Sequence, residues 1–223
     1  MAKAKIIGIA QLKGGSGKTT VATSLSAALG ASGGETLLID CDPPQFSADS
    51  WFAMRKEAGW EDWTDHTSIT SSSEEELASL IDQNSSKFKY IVLDAPPRGE
   101  ITTKLIMKMS NLIIIPVNAS MVDLWATYDT EELVKGLKAN KRARLLLNRY
   151  RPFTNSSREV KKALKKEIGI DQLRTTLGFR TAYMDALGTG LGVQESGMFD
   201  RKARKEMESL TSCLLYTSPS PRD

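Results

Sequence analysis

Two cysteines, Cys41 and Cys213, and a single histidine, His66, are all the thiols and imidazoles that 223 residues offer for binding a metal. Their number and spacing point to no metal-ligand cluster and no disulfide framework. Long apolar runs are missing too. The longest, such as Leu112 to Val117, are far too short to cross a bilayer. The chain passes from Met1-Ala-Lys directly into a strand-like segment, without the charged and apolar regions of a secretory signal. A cytosolic protein is the expectation.

What is present is an ordinary globular balance, 40% hydrophobic and 26% charged residues. The net charge of +3 hides an asymmetry. Residues 1–134 hold 11 Lys/Arg against 18 Asp/Glu, a net of −7; residues 135–223 hold 19 against 9, a net of +10. A basic second half is the composition of a polyanion-binding surface or of a set of solvated helix faces.

Apolar strand-like runs at 5–10, 36–40, 90–94, 112–117, 143–148 and 172–177 alternate with helical periodicity. Helices are expected from about 17 to 30–34, 47 to 58, 73 to 84, 101 to 109, 122 to 139, 157 to 168 and 198 to 210. Ser73 with Glu76 has capping-box spacing at the start of the third. Residues 59–72 read as a surface connection with a short strand around Ser68 to Thr70. This alternation predicts an α/β fold, doubly wound, with a mostly parallel sheet and helices on both faces. One domain is expected over 1–210. Residues 211–223 end in Ser-Pro-Ser-Pro-Arg-Asp and read as a non-native or disordered tail.

The chemistry concentrates in QLKGGSGKTT, residues 11–20. Between a strand and a helix, a glycine-rich turn is an anion cradle of backbone N–H groups at the positive helix end. The cradle spans Gly14, Gly15, Ser16, Gly17, Lys18, Thr19 and Thr20. Lys18 would reach β- and γ-phosphates and Thr19 would ligate Mg²⁺, as in a P-loop NTPase. Leu12, however, stands where the first glycine of the common pattern belongs, and Lys13 follows it. Asp94 closes the apolar strand Ile91-Val-Leu-Asp94 in the Walker B manner for Mg²⁺. Asp40 and Asp42 end another strand; one could orient the attacking water while the other braces the loop.

KGGSGKTT with Lys13, LLIDCDPPQ at 37–45 and YIVLDAPPR at 90–98 closely resemble the deviant Walker A ATPases of the ParA/MinD family. IIPVNASMVDLWATYDT at 114–130 and LLLNRYRP at 145–152 resemble later segments of small ParA partition ATPases, so the likeness covers residues 3 to 210. The resemblance implies ATP and Mg²⁺ as cofactors and a homodimer formed on ATP. In it Lys13 crosses the dimer interface to the partner's phosphates, Lys18 serves its own nucleotide, Asp42 positions water, Asp40 supports it and Asn148 reads adenine. The family's turn has one proline where this chain has Pro43-Pro44, so Gln45 is displaced by one position and receives no role.

A partition ATPase of this kind hydrolyses ATP slowly, binds DNA without sequence preference, and answers to a ParB-like or centromere-binding adaptor. It is cytoplasmic, and nucleoid-associated when ATP-bound. Candidate DNA contacts are Arg142, Arg144, Arg149, Arg151, Arg158, Lys161, Lys162, Lys165, Lys166, Arg174 and Arg180. Arg158, Lys161, Lys162 and Lys165 share one helical face. The alternative is a MinD-like or other positioning ATPase acting on a membrane or a protein assembly. Residues 200–208 are basic but carry too few bulky apolar groups for a lipid face, so no stable membrane association is expected. A nitrogenase-reductase-like enzyme would need cysteines placed for an iron–sulfur cluster, and Cys41 and Cys213 are not.

Overall fold

The computed structural model describes residues 3–216 apart from 44, 61–63, 70–72, 99 and 196–199. Seven strands form one sheet: β1 (Lys5–Ile9), β2 (Thr36–Asp40), β3 (Thr64–Ser68), β4 (Tyr90–Asp94), β5 (Leu112–Asn118), β6 (Ala143–Tyr150) and β7 (Gln172–Gly178). Their order is β3-β2-β4-β1-β5-β6-β7, and every pairing is parallel. The central strands β1, β2, β4 and β5 are nearly continuous apolar runs because both sheet faces are covered there.

Period-two alternation distributes each strand between two cores. Ile7, Ile9, Leu38, Val92, Ile114 and Leu146 point to the side of α1 (Lys18–Ala31), α2 (Ser47–Glu57), α7 (Thr181–Gly188) and α8 (Arg201–Tyr216). Leu37, Ile39, Ile91, Leu93, Ile113, Ile115 and Leu147 point to α3 (Glu74–Asn84), α4 (Glu100–Met109), α5 (Met121–Gly136) and α6 (Asn155–Glu167). The expected doubly wound fold is therefore found, with an entirely parallel sheet. The chain reverses its direction of travel across the sheet at β1, between β4 and β5. That switch point opens a crevice at the strands' C-terminal rim, where ligands of such sheets bind.

Two boundaries differ from expectation. The short strand lies at Thr64–Ser68, earlier than expected; Thr70 lies outside the described residues. Its sequence Thr-Asp-His-Thr-Ser is polar and shows no alternation of core residues. The last helix, whose expected start at Met198 is also outside them, continues past Leu210 to Tyr216. Met207, Leu210 and Leu214 follow one buried stripe, and the Lys5 ammonium donates to the Leu214 carbonyl at 2.6 Å. Residues 211–216 are thus helical, and 217–223 lie outside the described residues.

A buried ion pair ties α2 to the segment before α8. Arg55 donates to both Glu195 oxygens at 2.8 and 2.6 Å and to the Gly190 carbonyl at 3.1 Å. Gly190 has φ +72° and lies so close that any Cβ there would collide with the Arg55 backbone. Arg55→Ala would strand a buried carboxylate, and a loss of about 3–5 kcal/mol is expected in urea unfolding. An unchanged midpoint would contradict this.

Candidate functional site

The loop after β1 and the first turn of α1 are built for an anion. Gly17 takes the N-cap position with φ +90°, and no side chain caps the helix. By contrast Ser73, Ser120 and Thr154 each accept a backbone N–H at the starts of α3, α5 and α6. A Cβ on Gly17 would also stand 2.4 Å from Asn148 Nδ2, so only glycine fits.

Lys18 points inward. It is 6% exposed, and its ammonium donates to the Lys13 carbonyl at 3.4 Å. Burial lowers its pKa, opposed by the nearby Asp94 and Asp42. Asp94, 1% exposed, pairs in register with Asp40 across β2 and β4. Burial pushes the Asp94 carboxyl up to about 8, with the Thr19 hydroxyl and Lys18 pulling it back only in part. Both Asp94 oxygens, Ser16 Oγ and Asn118 Oδ1 are buried without a hydrogen-bond partner of good geometry among the described residues. The two Asp94 oxygens, beside Lys18, are of the kind that a bound cation would satisfy.

Asp40 is fully buried and accepts the amides of Asp42 at 2.9 Å and Ala48 at 3.0 Å. Burial raises its pKa while those two N–H groups lower it. It braces the loop; Asp42, half-buried and near Lys18, faces the crevice charge. Burial raises the Asp42 carboxyl, and Lys18 opposes this.

Lys13 points the other way. Its side chain is 29% exposed, and its ammonium pairs at 2.8 Å with Asp123 of α5. Asp123 also accepts from Ser120 and, at 3.2 Å, from Asn118 Nδ2, which donates in turn to the Gly15 carbonyl at 3.1 Å. Neither Asn118 nor Asp123 is among the expected site residues. Ser120 and Asp123 do carry capping-box spacing, the one local signal that marks them.

Beside the loop, a cavity of about 390 Å³ is walled by Gly17, Thr20, Asn148, Leu177, Phe179 and Met184. The Asn148 amide donates to the Ser16 carbonyl at 2.9 Å and accepts from the Arg149 N–H at 2.9 Å. The structure thus brings Lys13, Lys18, Thr19, Thr20, Asp40, Asp42, Asp94 and Asn148 to one rim.

The basic residues divide. Arg180 is bound bidentately to Glu206 and reaches Asp200 at 3.1 Å, so its charge is already paired within the chain and ties α8 down. Arg142 donates to the Ser110 and Lys108 carbonyls at the end of α4. Arg151 stacks over Phe179 at 4.1 Å. Arg149, Arg158, Lys162, Lys165, Lys166 and Arg174 are exposed. No helix among the described residues is long and apolar enough to cross a membrane.

With this geometry in view, comparison with known proteins places the chain. The profile of the CobQ/CobB/MinD/ParA nucleotide binding domain matches residues 7–193, and the chain belongs to that family. It is 30% identical over 217 residues to the maintenance of carboxysome distribution protein A of Halothiobacillus neapolitanus, covering 93% of this chain and 95% of that one. A Cyanothece McdA variant in complex with ATP superposes with a TM-score of 0.76 at 20% identity, covering 99% of this chain and 100% of that one. A protein of Borrelia burgdorferi assigned to plasmid partition and bound to AMPPNP gives 0.73 at 22% identity, covering 96% and 99%. At such identities the two structures share the fold.

Proposed function

We propose that this protein is a positioning ATPase of the partition type, whose ATP-bound form is a face-to-face dimer that holds nonspecific DNA. The observation that carries the reading is the divergence of two lysines from one loop. Lys18 is committed inward, beside Asp94, whereas the Lys13 ammonium lies on the outer rim and pairs with Asp123. A second loop cation, released from Asp123, is what a facing triphosphate needs, since two such anions otherwise repel.

The residues fit Mg²⁺–ATP. The uncapped α1 turn from Gly14 to Thr20 supplies N–H donors, Thr19 and Asp94 the oxygen ligands for the ion, and the cavity at Asn148 room for a base. When bound, Mg²⁺ would neutralise charge developing on the β- and γ-oxygens. Asp42 then orients the attacking water, and Asp40 fixes Asp42 through its backbone amide. Slow hydrolysis, accelerated by an adaptor protein of the ParB or centromere-binding kind, releases the dimer. Such a cycle runs in the cytoplasm, on the nucleoid while ATP is held.

Plasmid or chromosomal DNA is one cargo for this machine. The carboxysome-distribution relative favours a second reading, in which the cargo is a protein assembly; we propose DNA as the track in that case. Both need the basic face of α6. Lys162→Glu with Lys165→Glu and Lys166→Glu is expected to weaken ATP-dependent DNA binding and to flatten its salt dependence. The logarithmic slope should fall by about one for each phosphate no longer neutralised. Unaltered binding and slope would remove α6 from the DNA surface. ATP-independent or salt-insensitive binding by the parent chain would sink the DNA reading altogether.

A further inference from the structure

Away from the phosphate loop, the end of β2, the first turn of α2 and the edge strand β3 bring three ligand-bearing side chains together. Asp40, Asp49 and His66 each present one donor atom, and these atoms lie within 4.8 Å of one another. Asp40 is held rigidly by the Asp42 and Ala48 amides, and a carboxylate so placed retains lone pairs for a further partner. His66 sits opposite Leu38 in the β2–β3 register and packs on the Phe52 ring at 5.4 Å.

The imidazole is the telling group. Its side chain is 7% exposed, yet Nε2 makes no hydrogen bond among the described residues. Asp49 Oδ1 stands 3.0 Å away, close enough for an ion pair but out of line for a hydrogen bond. A buried ring nitrogen left this way is costly unless something else binds it. Ligands of one tetrahedral zinc ion stand roughly 3.3 Å apart, so the His66–Asp49 spacing is already near what such an ion requires. The Asp49 side chain is 38% exposed, so solvent reaches that side of the cluster and can supply water as a fourth ligand. One imidazole and two carboxylates suit a borderline divalent cation, whereas Mg²⁺ favours oxygen alone.

We propose that Asp40, Asp49 and His66 form a binding site for a divalent transition cation of the Zn²⁺ class. Bound there, the ion clips α2 and β3 to Asp40, the carboxylate that fixes the Asp42 loop at the edge of the nucleotide crevice. Counting one histidine and two distant cysteines gives no hint of such a site, because its ligands meet only through the β2–β3 pairing and the return of α2. The inference goes beyond the ATPase reading and does not depend on it.

The test uses the full chain without a polyhistidine tag, free of nucleotide and Mg²⁺. Co²⁺ is titrated by its visible absorption and Zn²⁺ by calorimetry. One equivalent of Co²⁺ is expected, displaced by Zn²⁺ and lacking an intense sulfur charge-transfer band. Asp49→Asn and His66→Gln should each weaken binding about tenfold or more, and Cys213→Ser should leave it unchanged. Circular dichroism checks the folding of each variant. If His66→Gln does not fold, Asp49→Asn, altered at a partly exposed helix position, decides alone. Absence of stoichiometric binding, a cysteine-dependent spectrum, or equal affinity in parent and variants would overturn the proposal and leave an ordinary Asp49–His66 ion pair.

Discussion

Lys13→Gln is expected to bind ATP within about threefold of the parent, because the loop amides and Lys18 are untouched, and yet to lose ATP hydrolysis by about a hundredfold or more. In the isolated subunit the Lys13 ammonium pairs with Asp123, which keeps its Ser120 and Asn118 donors when the lysine is gone. The folded monomer therefore changes little; a partly exposed pair contributes on the order of 1 kcal/mol. In the proposed dimer the loss falls on the interface, where a cation aimed at the partner's phosphates would disappear and two polyphosphates would face each other unshielded. Fluorescent-nucleotide titration and phosphate release, run side by side, separate the two effects. Hydrolysis within twofold of the parent would show that Lys13 acts within its own subunit or not at all.

Asp94→Asn is expected to stabilise the protein in EDTA and to destroy its response to Mg²⁺–ATP. The sign follows from the raised carboxyl. In the unfolded chain Asp94 ionises near its ordinary value of 3.8, while burial holds the folded group near 8. Between those pH values the folded state retains a proton that the unfolded state has released, so stability falls as pH rises from about 4 to about 8. Asparagine carries no such penalty. The variant's advantage should grow across that window to the order of a few kcal/mol, moderated by the Thr19 and Lys18 contacts. Adding Mg²⁺–ATP should invert the ranking, since ligand stabilises only the protein whose carboxylate can hold the ion. Thermal melts at pH 5 and pH 8, with and without Mg²⁺–ATP, check both halves. A variant less stable than the parent at pH 8 in EDTA would contradict the first, and an undiminished shift with Mg²⁺–ATP the second.

Much of this site is legible in the sequence because its parts are local. Gly14 to Thr20, Asp40 with Asp42, Asp94 and Asn148 each sit where an apolar strand ends, and parallel topology carries all such ends to one rim. The unbroken apolar runs Leu37-Leu-Ile39 and Tyr90-Ile-Val-Leu93 likewise foretell a sheet buried on both faces. What stays hidden depends on distant partners. Arg180 looks like one more basic residue until Glu206, 26 positions on, is folded against it. Asp123 reveals itself as a helix-capping acid, but only the loop's approach to α5 makes it the counter-ion of Lys13. The strand Thr64–Ser68 is an edge strand of polar residues, and periodicity has nothing there to detect. The expected stop of α8 falls six residues short because the Ser-Pro-Ser-Pro-Arg-Asp ending draws the boundary forward, whereas the stripe of Met207, Leu210 and Leu214 continues past it.

The central claim is that ATP, through Lys13, closes two subunits face to face. Sedimentation velocity of the parent chain tests it most directly, with Mg²⁺–ATP, with Mg²⁺–ADP and without nucleotide. A species of twice the monomer mass with ATP alone is the predicted result. A single mass under all three conditions, whether monomer or dimer, would contradict it.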